Sequence, residues 1–173
     1  MPITRRPAPF LRPFVRMLWA WDGAAACQSP RGDRERILPG GAMHIVLRLS
    51  DRRVRIFDGP EGTSGRIIGH AVVGGARATP YLRDVSGTDR SVGALLEPGA
   101  GEPLFGVPAD ALAGGHTSLE DLWRGEAGEA RERLSEAGSV DRQLDVLESM
   151  LAARLRQARA LHPAVVYALR RFR

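Results

Sequence analysis

Lysine is absent: all 25 basic residues are arginine. Arginine alone suits phosphate recognition, because the planar guanidinium matches phosphate oxygens in two parallel bonds. Here the arginines are scattered, and acids are interleaved with them through the last third. The net charge of +5 therefore reads first as a solvated surface, with direct nucleic-acid binding by the scattered arginines as the lesser alternative. Cysteine is nearly absent too. Cys27 stands alone, which excludes an intramolecular disulfide and a cysteine-built zinc site, and no partner motif for a catalytic thiol surrounds it. No apolar run reaches the roughly 18 residues of a membrane span, and no apolar signal segment opens the chain. The protein reads as cytoplasmic, with no membrane partner. The glycine pairs belong to no Gly-x-x-x-x-Gly-Lys, no helix-opening Gly-x-Gly-x-x-Gly and no Gly-x-Ser-x-Gly. They are turns.

What is present is β-patterned first and helical later. Leu38-Pro39-Gly40-Gly41 is a turn: proline presets φ and the glycines permit the positive φ of a sharp reversal. It feeds Met43 to Leu49, a short apolar run rich in β-branched residues, and then the alternating Val54-Arg55-Ile56-Phe57. Upstream, Val15, Met17, Trp19 and Trp21 fall on one strand face at period two, and Arg34 to Leu38 pairs as a short strand. Arg66 to Gly75 and Ser91 to Pro98 complete the set. Short strands separated by Gly/Pro turns predict an antiparallel barrel or jelly roll over residues 10–100. The proline-rich, basic residues 1–9 predict a loosely held arm.

From Pro98 the texture changes, and residues 101–160 predict helices. Leu104 to Leu112 gives a helical turn or two, stopped by Gly114-Gly115. Thr117 and Glu120 have capping-box spacing, opening a helix whose apolar face runs to about Ala137. Gly138-Ser139 ends it and caps the next, which carries the stripe Val140, Leu144, Leu147, Leu151 and Leu155. Two helices on a short link lie antiparallel. The stripe has two readings: it covers the barrel, or it packs against a second copy through Leu144, Leu147, Leu151 and Leu155. His162-Pro163 starts a third helix, running into Arg173 with no cap.

The residues offer little for catalysis. Among His44, His70, His116 and His162, no two are spaced as ligands on one element, and no paired acids or Ser/His/Asp set accompanies them. No enzyme activity, metal or cofactor is expected. A hollow β-domain with aromatic strand faces instead predicts a small-molecule pocket. Its candidate lining is Trp19, Trp21, Arg36, His44, His70 and Tyr81.

The order of features resembles the N-terminal sensor domain of AraC-family bacterial transcription regulators. The similarity rests on Leu11-Arg12-Pro13-Phe14-Val15 with Trp19, and on Arg36 to Gly41 leading into His44-Ile45-Val46-Leu47. It continues through Val92 to Ala100, Leu104 to Leu112, and Ser118-Leu119-Glu120-Asp121-Leu122-Trp123. The resemblance implies an α+β chain, with an N-terminal antiparallel cupin-like β-barrel or jelly roll followed by an antiparallel helical pair. It implies an unidentified small-molecule effector, a homodimer, and DNA contact only through a C-terminal helix-turn-helix domain. Residues 161–173 would be the start of that domain, both of its helix-turn-helix units being missing from this sequence. The competing expectation is a small cupin-like metalloenzyme using His44 and His70 across two strands.

Overall fold

The computed structural model describes residues 2–23, 34–58, 64–86, 90–157 and 162–171. Cys27 and Arg173 lie outside them. The chain is α+β, with two antiparallel sheets. The larger runs in the order β1 (Ile3–Arg5), β2 (Val15–Trp21), β9 (Ser91–Leu96), β4 (His44–Arg48), β7 (Ala71–Gly74) and β10 (His116–Ser118). The smaller runs β3 (Arg34–Ile37), β8 (Tyr81–Asp84), β5 (Val54–Asp58) and β6 (Gly65–Gly69). Among the described residues no strand ladder joins the two sheets, so the expected barrel is not closed.

Each strand of the large sheet sends alternate side chains to opposite faces. One face carries Leu18, Ala20, Ile45, Leu47, Val73, Val92, Ala94 and Leu96, all buried in the main core. Helices α1 (Gly101–Phe105), α3 (Leu119–Trp123) and α5 (Val140–Gln157) cover that face. Trp123 locks the cover. Its indole Nε1 donates to the Leu104 carbonyl at 2.8 Å, its ring stacks near Phe105, and Arg154 lies over it. The remaining helices are α2 (Ala109–Leu112), α4 (Gly125–Glu136), which packs on α5, and α6 (Pro163–Arg171), the expected third helix.

Four expectations change. Val15 does not share a face with Met17, Trp19 and Trp21. A β-bulge between Val15 and Met17 inserts one residue, turning Val15 into the helix-covered core. The N-terminal arm is not loose either. Ile3–Arg5 pairs with β2, Arg5 bonds Asp145 at 2.7 Å and Glu148 at 3.2 Å, and the Ala8 amide donates to Glu148. Thr117 is not a helix cap, because His116–Ser118 is the edge strand β10 and Ser118 takes the N-cap position. The helix expected to run from there to Ala137 breaks at Arg124, whose φ of 53° lies in the left-handed region.

The leucine stripe resolves in favour of covering the sheet. Leu147 and Leu151 have 0% exposure and Leu144 1%, with Leu155 packed at the margin of the same core. Leu144, Leu147 and Leu151 are thus used up inside one chain, while Leu155 is half-buried. Leu147→Ala is expected to cost about 2–5 kcal/mol of stability through lost burial and a cavity. Leu147→Asp is expected to abolish the folded state, not to yield a folded monomer. Urea denaturation with light scattering checks both.

Candidate functional site

The other face of the large sheet is built differently, and the strand register spells it out in rows. One row runs Met17, Leu95, His44, Gly74, His116 across β2, β9, β4, β7 and β10. The next runs Thr4, Trp19, Gly93, Val46, Val72, Ser118, and a third runs Trp21, Ser91, Arg48. Small-sheet residues Glu35, Val54, Ile56, Tyr81 and Arg83 face these rows. Between the sheets lies a cavity of about 540 Å³. That size and its mostly apolar wall are typical of small-molecule sites.

Two glycines keep this space open. A Cβ on Gly74 would run into the His44 imidazole, and a Cβ on Gly93 would run into Trp19 and the Ile45 carbonyl. The missing side chains let His44 and Trp19 lie across the sheet floor. Flanking Gly74 on both sides, His44 and His116 come edge to face with ring centroids 5.9 Å apart. Tyr81 reaches over from the small sheet and meets His116 at 4.5 Å.

The electrostatics are specific. His44 is pushed from its ordinary 6.5 down to about 4, first by burial and then by the Arg83 charge, so its imidazole is neutral near pH 7. Burial raises Tyr81, against the pull of Arg83 and Arg77, which keeps the phenol protonated. Arg77 donates Nη1–H to His116 Nδ1 at 3.1 Å; since a guanidinium has no acceptor, His116 carries its own proton on Nε2. Arg83 is ion-paired with Glu35. Trp19, Trp21, His44, Tyr81 and Ser91 make no side-chain hydrogen bond among the described residues. These five residues thus present neutral donors and acceptors on a wall that also carries Glu35, Arg48 and Arg83.

A family model, Domain of unknown function (DUF6597), matches residues 3–118, about two thirds of the chain. The chain belongs to the DUF6597 family. A search of curated proteins finds no match. The DUF6597 region contains every cavity-lining residue from Thr4 to His116, leaving only Pro2 outside, and it stops just before α3.

Of the residues expected in a pocket, Trp19, Trp21, His44 and Tyr81 line this cavity. Arg36 does not. On β3 the inward positions are Glu35 and Ile37, and Arg36 points to solvent. His70 does not either: its carbonyl accepts from the Arg48 amide at the far end of β4. By strand rise that is roughly 13 Å from His44, too far for both to hold one metal. No group of three or more His, Cys, Asp or Glu suited to a metal occurs among the described residues. Sequence reasoning missed Glu35, Arg48, Arg83, Ser91 and His116. The alternation within Arg34–Ile37 already carries Glu35, but nothing local marks His116, whose short strand is overprinted by a helix-start pattern.

His44 predicts a pH response. Between 6.5 and about 4 the unfolded chain binds a proton that the folded chain refuses. Stability therefore falls as pH falls through that window, by up to about 3 kcal/mol for this one group. His70, also lowered by burial, adds in the same direction. Urea titrations from pH 7 to pH 4 should show a flatter stability profile for His44→Gln than for the parent protein. Equal slopes would place His44 outside the buried cluster.

Proposed function

We propose that this chain is a ligand-sensing domain that binds a small molecule between its two sheets. The observation that carries this reading is the cavity of about 540 Å³ between the sheets, in whose wall Trp19, Trp21, His44, Tyr81 and Ser91 make no side-chain hydrogen bond among the described residues. Leaving such groups unsatisfied in a buried site costs stability, and a ligand that satisfies them recovers it. Recognition fits this lining, in which neutral aromatic and hydrogen-bonding groups stand beside the Glu35–Arg83 ion pair in a largely apolar wall.

The resemblance to AraC-family sensor domains supports a finer reading, in which ligand occupancy governs a helix-turn-helix DNA-binding domain of a cytoplasmic transcription regulator. The cavity face and the helix-covered face belong to the same strands, so a ligand loads the sheet on which α5 rests. Pairing of two chains belongs to this reading as well. Because Leu144, Leu147 and Leu151 are buried within one chain, the pairing surface lies elsewhere.

A thermal-shift screen of uncharged and charged aromatic and polar metabolites tests the proposal. At a hundred times its Kd, a ligand adds about 2.7 kcal/mol, which for a chain of this size raises Tm by roughly 5–10 °C. The same compound should leave Trp19→Ala unshifted while shifting Trp123→Phe, whose tryptophan lies under the helices. A rise that survives Trp19→Ala, or no rise with any compound, would contradict binding between the sheets.

A further inference from the structure

The cavity wall gathers its unengaged polar groups in two places. At one end of the floor stand His44 and Tyr81, both in edge contact with the His116 ring. Four residues further along β4, at the level of Arg48, Ser91 and Trp21 face the cavity as register partners. Strand rise separates the two places by roughly 13 Å. Between them the floor is Trp19, whose ring covers Gly93, with Val46 and Val72 beside it. The charged groups of the wall are already bonded within the chain. Glu35 pairs with Arg83, and buried Arg48 donates to the Arg53 carbonyl at 3.3 Å.

Resting on the reading of the cavity as a ligand site, we propose that its ligand is an uncharged, elongated aromatic compound with a hydroxyl or carbonyl oxygen at each end. Its ring system lies along Trp19 and Val46. One oxygen meets His44 and Tyr81, and the other meets Ser91 and Trp21. The first end suits a hydroxyl. Burial and the Arg83 charge keep His44 neutral, so its imidazole has one N–H and one bare nitrogen, and Tyr81 stays a phenol. Such a pair can accept a hydrogen bond and donate one, as an alcoholic or phenolic O–H also does. At the second end the Trp21 indole only donates and the Ser91 hydroxyl does both, which suits an acceptor oxygen of either kind. An ion fits less well. An anion would have to draw Arg83 from Glu35 or Arg48 from Arg53, and a cation would have to draw Glu35 from Arg83. In each case a bond already made is given up, so little is returned for the water the ion loses. The apolar middle selects against a ligand that is polar along its whole length.

Calorimetric titration of the folded chain with three rod-shaped stilbenes tests this: one with a hydroxyl at both ends, one with a hydroxyl at a single end, and one with a carboxylate at both ends. The diol is expected to bind about tenfold tighter than the mono-ol, and the dicarboxylate weakest. Tyr81→Phe and Ser91→Ala should each weaken the diol by about fivefold to tenfold, with circular dichroism unchanged. Their effects should multiply in the double variant, because the two places are too far apart to share a partner. The mono-ol engages one end at a time and should respond to only one of the two changes. His44→Gln replaces Tyr81→Phe, and Trp21→Phe replaces Ser91→Ala, should either not fold. The mono-ol or the dicarboxylate binding as tightly as the diol, or a diol indifferent to both variants, would overturn the two-ended assignment. Loss of that binding in Trp19→Ala would then still mark the cavity as the site. Failure of all three probes to bind would overturn both.

Discussion

The structure depends on two absent side chains. At Gly74 and Gly93, in the middle of the large sheet, a single methyl group would collide with His44 or Trp19. A central strand position usually holds a β-branched residue that packs against the facing sheet. Glycine there gives up that packing and weakens the strand. What it yields is a floor on which large rings lie sideways, so that the two sheets face each other across space. The edge-to-face contact of His44 with His116 exists because nothing stands between them on β7.

That open side is tolerable because the other face of the same sheet is closed. Residues such as Leu18, Ile45, Val73 and Leu96 are buried beneath α1, α3 and α5, and this helix-covered layer supplies most of the core. A second small cluster, Val54, Ile56, Val72 and Tyr81, ties the sheets together beside the cavity. The cost of an unfilled interior thus falls on a fold whose stability comes from elsewhere. β2, β4, β7 and β9 each carry cavity side chains on one face and core side chains on the other. The bulge in β2 shows how closely this division is kept: one inserted residue sends Val15 to the core and leaves Met17, Trp19 and Trp21 on the open side.

Most of this order is legible in the sequence, and the failures are instructive. The succession of strands and then helices follows from hydrophobic period and turn chemistry, which are local. Trp19, Trp21, His44 and Tyr81 are found because large amphipathic side chains on short strands have few places to go. Arg36 fails on parity, since a one-residue choice of register decides which of Glu35 and Arg36 points inward. His70 fails because it lies in the turn before β7 and not on the inner face of a strand. His116 goes unseen because three residues of edge strand carry no periodicity, and pairing with Gly74 is a long-range fact. The leucine stripe on α5 is visible in the sequence, but its partner is not. An apolar helix face fits a sheet or a second copy equally well, and only the tertiary packing decides.

The claim that the space between the sheets is where a ligand sits is tested most directly by filling it. Val46 stands at the centre of the open floor, between Gly93 and Val72 in register. Binding of a neutral naphthalene probe should be measured by calorimetry for the parent chain and for Val46→Trp. With the cavity as the site, the variant retains a cooperative thermal transition and loses probe binding. Undiminished binding to a folded Val46→Trp would put the site elsewhere and leave the open face of the sheet without a role.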